Sequence, residues 1–299
     1  MSIAASGNSY EIVHGAHRAL ICEVGATLRG YWVDEVAVTT TFEADTIPVG
    51  CQGQHLLPWP NRIRDGRYFF DREYHQLAIN EPERNNALHG LASWVPWQLL
   101  DHTPTIVCQR VVVHAQPGWP GTVEAIITHR VDADGLRVEV QAHNVGSSPV
   151  PFGYAAHPYL VCGERPIDAW TMTIPFSAEL QVEPERLLPV RLGELTRPDL
   201  RDGAVIGDTR FDTAFTSPER GVDEAWSVWL TNGERSVELW AGPGLDWLQV
   251  YTPDDRAGVA VEPMSCGPDA FNPGPTHGDV VVLEPGDAWA GSWGVRAGA

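Results

Sequence analysis

The sequence predicts an all-β protein, organised as a large antiparallel β-sandwich. Three observations lead there. Short apolar or alternating runs recur between turn residues, matched runs flank Asp-Gly and Asn-Gly pairs, and no stretch keeps apolar residues at i, i+3, i+4 and i+7 for three helical turns. The 29 glycines and 24 prolines are scattered along the 299 residues, which favours frequent turns over long helices.

In chain order, residues 18–24, 28–33 and 36–42 form the first apolar or alternating segments. Residues 123–131 and 136–144 flank Asp134-Gly135, a pair that accepts positive φ and so predicts a tight hairpin turn. Residues 226–230 and 236–240 flank Asn232-Gly233, a second hairpin of the same kind. Near the end, residues 280–283 and 288–295 bracket Pro285-Gly286. No shift in composition marks a linker, so residues 1–299 are read as a single domain.

Charge narrows the function. The chain carries 39 acidic and 20 basic side chains, a formal net charge of −19. Phosphate backbones and anionic lipid surfaces need clustered Lys and Arg, so neither nucleic acid nor membrane is an expected partner. Every basic residue is arginine. Without a lysine there is no Schiff base, no pyridoxal-phosphate anchor and no P-loop, so chemistry at a carbonyl must proceed by acid–base steps. The five cysteines are scattered with no C-x-x-C pair, which reads as reduced thiols rather than disulfides or zinc ligands. No charged leader followed by an apolar stretch opens the chain, and no run approaches the roughly 18 apolar residues of a membrane span. A cytoplasmic location is expected.

Four segments interrupt the strand-and-turn pattern by placing polar side chains among glycines, prolines and aromatics. They are L-P-W-P-N-R-I-R-D-G-R-Y at 57–68, N-N-A-L-H-G at 85–90, P-F-G-Y-A-A-H-P-Y at 151–159, and L-Q-V-Y at 248–251 followed by V-E-P-M-S-C-G-P-D at 261–269. The succession N-R-I, L-H-G, H-P-Y, L-Q-V-Y-T and an isolated glutamate ahead of P-D-A-x-N runs from Asn61 to Asn272. In that order, the motifs resemble the aldose 1-epimerase, or galactose mutarotase-like, family. The wording of residues 57–68 and 80–91 is most similar to a bacterial branch of the family that includes sulfoquinovose mutarotase.

The resemblance implies a galactose mutarotase-like supersandwich, a small sugar as substrate and no cofactor or metal. It also implies a role for each matching position. His157 corresponds to the general acid and Glu262 to the general base, while Asn61, Arg62, His89, Asp212 and Gln249 correspond to sugar-binding groups. The histidine segment reads A-A-H-P-Y-L where better-known sugar mutarotases have N-H-x-Y-F-N, and P-M-S-C-G-P-D-A replaces T-Q-x-x-P-D-A after the glutamate. The stretch between Gln249 and Glu262 is also short. These departures spare the acid–base pair and bear on sugar preference.

The reaction itself asks for such a pair. A pyranose opens when a base takes the proton from the O1 hydroxyl and an acid protonates the ring oxygen O5. Rotation about C1–C2 and closure on the other carbonyl face then give the opposite anomer. Two groups of different pKa placed on either side of the ring would serve. A glutamate near ~4.3 would be the ready base, and its charge would raise a histidine from ~6.5 and favour the imidazolium acid.

Each residue also has a plainer use. His157 can be a buried structural histidine, Glu262 a strand-end glutamate, Arg62 a surface partner of Asp65 or Asp71, and His89 a turn filler. Trp59, Trp94 and Trp97 could each offer a flat face to a sugar, although tryptophans mostly pack cores. Three other functions compete: an epimerase of a phosphorylated or sulfonated hexose using Arg64, Arg67, Arg72 or Arg84, a metal enzyme using His89, His157 and Glu262, and a non-catalytic carbohydrate-binding β-sandwich. Monomer and homodimer both stay open.

Overall fold

The computed structural model describes residues 3–298. Two large sheets dominate. The nine-stranded sheet runs, in spatial order, Gln98–Thr103, Ile106–Val113, Val123–Asp132, Gly135–Asn144, Ala288–Gly298, Ser236–Ala241, Trp226–Thr231, Thr171–Thr173 and Ala204–Val205. The eight-stranded sheet runs Pro189–Glu194, Phe176–Val182, Asp212–Pro218, Trp247–Tyr251, Val259–Met264, Ala155–Ala156 and His55–Leu56, with Tyr159–Leu160 also paired to Val259–Met264. The strands Ser9–His14, His17–Cys22, Leu28–Val33 and Val36–Ala37 form a separate meander. Ladder pairing in both large sheets is antiparallel. Helical structure among the described residues consists of four 3-10 turns of three or four residues.

The core lies between the two large sheets, and strand periodicity decides which side chains enter it. Along Ile106–Val113 every second residue is buried, because successive side chains point to opposite faces. Trp247–Tyr251 and Val259–Met264 are buried almost throughout. Leu248, Val250, Val259 and Val261 join the main core cluster. Their alternates therefore face away from it. Trp247 and Met264 pack with Leu56, Ala155, Leu180 and Ala214 in a smaller cluster on that far face. Gln249 and Glu262 share the far face, and they are where the sheet turns polar.

Local predictions held at most strands and shifted at some turns. The Asp134-Gly135 turn moves by one residue: Asp132 pairs with Gly135, leaving Ala133-Asp134 as the loop. Gly135 is still required, since its φ is +127° and an added Cβ would lie 2.5 Å from the Val295 carbonyl oxygen of the next strand. Asn232-Gly233 opens a four-residue loop between Thr231 and Ser236, in which Asn232 Oδ1 accepts from the N–H groups of Glu234 and Arg235 at 2.9 and 2.8 Å. The expected strand over 36–42 is only Val36–Ala37. Beyond it the chain leaves the meander and bridges Thr39 to Leu160 of the large sheet. Pro285-Gly286 connects two sheets, because Val281–Leu283 pairs with Val150–Phe152 while Ala288–Gly298 pairs with Gly135–Asn144.

Candidate active site

One wall of the site is built by strand register. Gln249 pairs with Glu262, and Asp212 pairs with Tyr251 on the adjacent strand. Cross-strand neighbours on one face come within side-chain reach, so Gln249 Nε2 donates to Asp212 Oδ1 at 2.7 Å. His157 follows the Ala155–Ala156 strand, and its backbone is pinned on both sides. Its N–H donates to the Gln54 carbonyl at 3.0 Å, and its carbonyl accepts from Gly53 at 2.9 Å.

The opposite wall comes from two loops tied together. Arg62 pairs with Leu88 in a short ladder. Asn61 (φ +54°) and His89 (φ +61°) both sit in the left-handed region, and their backbones bond to each other. The His89 N–H donates to the Asn61 carbonyl at 3.0 Å, while the Asn61 N–H donates to His89 Nδ1 at 3.2 Å. With Nδ1 an acceptor, the His89 proton resides on Nε2. Gly90 permits the close pass: at φ +73° an added Cβ would lie 2.2 Å from the Leu57 carbonyl oxygen.

Asp269 of the P-D-A-x-N motif joins the two walls. It is buried, its N–H donates to the Arg62 carbonyl at 2.7 Å, and its Oδ1 accepts from the Arg64 N–H at 2.9 Å and Asn272 Nδ2 at 2.8 Å. The motif thus reads as an anchor for the Arg62 loop.

Asn61, Arg62, His89, His157, Asp212, Gln249 and Glu262 all line one cavity of about 360 Å³. That volume suits a small ligand. At its floor His157 Nε2 lies 3.2 Å from Glu262 Oε1, with side-chain exposures of 7% and 2%. The two groups are neighbours, so the expectation of groups on either side of a ring is corrected. The expected charge state is corrected as well. Burial pushes the Glu262 carboxyl well above its ordinary value, the charge of Asp212 adds to this, and Arg62 opposes it. Burial pulls His157 down to about 4, so the carboxylate does not win the contest for an imidazolium. His89 is likewise held well below its usual value by burial, His157 and Arg62. The His157 ring stacks on Tyr159 at 5.1 Å and meets the His89 ring edge-on at 5.7 Å.

Arg62 is not a surface partner of Asp65 or Asp71. Its Nε and Nη2 grip Glu81 at 3.0 Å, and Nη2 lies 3.9 Å from Asp212 Oδ2. Removing either member of a buried pair strands the other, typically a loss of about 3–5 kcal/mol. Sequence reasoning missed Glu81, and also Tyr159, Tyr251 and Cys51 in the cavity lining. A β-strand alternation argument from Gln249 would have found Tyr251; Glu81 lies in a charged loop with no such signal.

Of the four arginines named for an anionic substrate, Arg84 lines this cavity, while Arg64 and Arg67 line a separate surface groove. Trp59 and Trp97 are core residues, and Trp94, 54% exposed, lines another pocket. His14 and His17 end and begin adjacent strands away from the site. Asp254 and Asp255 border a neighbouring cavity that shares Gly50, Tyr159 and Tyr251 with the first. Among the described residues, no three His, Cys, Asp or Glu side chains converge as a metal-ligand group. No helix there is long and apolar enough to cross a membrane.

Comparison with known proteins follows the same lines. A sequence model described as Aldose 1-epimerase matches residues 8–295. The chain is 30% identical over 286 residues to the uncharacterized protein YihR of Escherichia coli K12, covering 94% of this chain and 90% of that protein. In three dimensions it is similar to a galactose mutarotase-like protein from Clostridium acetobutylicum, with a TM-score of 0.86, 16% identity, and 96% and 94% of the two chains covered. It is also similar to galactose 1-epimerase from Lactobacillus acidophilus, with a TM-score of 0.80, 16% identity, and 96% and 93% covered.

Proposed function

The chain belongs to the aldose 1-epimerase family, and from that premise we propose that it interconverts the α and β anomers of a free hexose or related sugar. In this reading Glu262 is the base, His157 the acid, and Asn61, Arg62, His89, Asp212 and Gln249 hold the sugar hydroxyls. The observation that carries it is the 3.2 Å contact between His157 and Glu262 on the floor of a polar, sugar-sized cavity.

Neighbouring groups suit this reaction because O1 and O5 are bonded to the same carbon. The pair needs one proton between its two members. In the empty cleft, burial favours that proton on Glu262 and a neutral His157. Sugar hydroxyls solvate the carboxylate on binding, and the proton passes to Nε2. Glu262 then takes the O1 proton as His157 protonates O5 and the C1–O5 bond breaks. This leaves Glu262 protonated, His157 neutral and O1 as the aldehyde oxygen. After rotation about C1–C2, His157 takes the O5 proton, O5 closes on the other face, and Glu262 returns its proton to O1. The cycle closes with no redox change. Acid–base pairs of this kind contribute typically about 10²–10⁴-fold each.

A second reading, an anionic hexose, draws on Arg84. Its guanidinium lines the cleft, and its buried Nε has no hydrogen-bond partner. The resemblance to the sulfoquinovose mutarotase branch points the same way. Anomer exchange followed by NMR, run over glucose, galactose, sulfoquinovose and glucose 6-phosphate, tests both readings. Accelerated exchange of one of these sugars is expected. Binding without acceleration would instead favour a carbohydrate-binding protein, and neither binding nor acceleration would remove the sugar reading altogether.

A further inference from the structure

The cationic wall of the cleft is organised by a side chain that does not line it. Glu81 is 4% exposed, and both its carboxylate oxygens are engaged. Oε1 accepts from Arg62 Nη2 at 3.0 Å and from Arg84 Nη1 at 3.2 Å; Oε2 accepts from Arg62 Nε at 3.0 Å and from Asn86 Nδ2 at 2.9 Å. Burial alone would raise this carboxyl, but hydrogen bonds from Arg62 and Asn86 and the charges of Arg62 and Arg84 hold it below its usual value. These partners push Glu81 down, whereas burial and the charge of Asp212 push Glu262 up.

Arg62 has a second carboxylate within reach. Asp212 Oδ2 already forms a long ion pair with its Nη2, at 3.9 Å. An arginine free to choose would swing onto Asp212, because a guanidinium and a carboxylate form short, two-point contacts. That contact would close the space between the walls and use up donors and acceptors meant for hydroxyls. The grip on Nε and Nη2 prevents it by fixing the plane of the guanidinium. Its Nη1 is left near Asn61 Oδ1 at 3.4 Å, and Asp212 is left to Gln249.

We infer that Glu81 is a positioning residue that keeps the long Arg62–Asp212 pair from closing to hydrogen-bond length and so keeps the sugar seat open. The inference rests on the proposed epimerase reading of the same cleft. It assigns Glu81 no contact with the sugar; its effect passes through Arg62.

The test is a double-mutant cycle on the full chain, with KM and kcat from anomer exchange and sugar affinity from tryptophan fluorescence. Glu81→Gln keeps the shape and removes the charge. It is expected to raise KM about tenfold while kcat stays within about twofold, the pattern of a misplaced binding group. In an Arg62→Met background the same substitution is expected to change KM by less than about twofold, because its route is gone. Glu81→Asp keeps the charge on a shorter arm and serves if the glutamine variant does not fold; an intermediate rise in KM is expected. An unchanged KM in both Glu81 variants, or an equal rise with and without Arg62, overturns the inference. A wild-type protein that binds sugar but does not exchange anomers refutes the epimerase reading and leaves the affinity arm of the cycle to judge Glu81. A protein that binds no sugar refutes both.

Discussion

His157 Nε2 and Glu262 Oε1 meet at 3.2 Å on the floor of the cleft, both nearly sealed from solvent and each pushed by burial toward its uncharged form. Glu262→Gln and His157→Asn preserve shape while removing one partner's proton chemistry. Each is expected to slow anomer exchange by about 10²-fold or more with the thermal midpoint little changed. Retained exchange in either variant takes that residue out of the mechanism.

The shared proton fixes the shape of the pH profile. In the proposed mechanism the pair works with one proton, so the rate is expected to fall on the acid side as His157, held down to about 4, takes a second one. On the alkaline side it falls as Glu262 loses the last proton, at a pH well above the usual carboxylate range. Asp212 contributes to that upward push. Asp212→Asn is therefore expected to move the alkaline limb of kcat/KM toward lower pH, beside its cost in sugar binding. A limb that stays in place or moves up would break the link between the two carboxyls.

Acid stability should be governed by a pair of buried imidazoles that do not line the cleft. His55 and His129 are fully buried, with Nε2 atoms 3.2 Å apart, and His55 Nδ1 contacts the Tyr154 hydroxyl at 2.8 Å. Burial holds both below the ordinary 6.5, with His129 drawn down to about 3. A folded value below the unfolded one means that the unfolded chain binds more protons. Their contribution is complete above 6.5 and declines as pH falls below it, for His129 down to about 3. At pH 4.5 His129 alone would cost roughly 2–3 kcal/mol of unfolding free energy. Urea midpoints between pH 7 and 4.5 check this, and His129→Gln should flatten the dependence over that window.

Two glycines separate contact from strain. Gly90→Ala meets both a positive φ and the Leu57 carbonyl, whereas Gly233→Ala meets a positive φ with nothing within 4 Å. The first is expected to cost at least about 2 kcal/mol in urea unfolding and the second about 1 kcal/mol. Equal losses would mean that the approach of the Leu57 and Gly90 backbones is looser than described.

What could be read in the sequence was whatever depends on order and local chemistry. The hairpin partners and the sandwich follow from periodicity and turn chemistry, whereas Asn61, His89, His157, Gln249 and Glu262 follow from the family resemblance that the succession of short motifs carries. Properties that depend on enclosure could not be read. The direction of the His157 and Glu262 shifts is set by depth, whereas the charge of a neighbouring carboxylate predicts the opposite sign for the imidazole. Glu81 looks like any acidic loop residue until Arg62, 19 positions away, closes on it. The Asp134-Gly135 turn slipped by one residue because Gly135 answers to a strand carbonyl from Val295, a neighbour 160 positions downstream.

The alternation along Val259–Met264 means that reading frame and chemistry are the same property. An extra residue in the connection between Thr252 and Gly258 leaves the phase of both flanking strands unchanged. One extra residue inside the strand would turn Glu262 into the greasy interior and present Val261 to the cleft, so the fold would be damaged by a buried carboxyl at the moment the proposed base leaves the site. Length can therefore vary in that connection only, while the phase of the two central strands stays fixed.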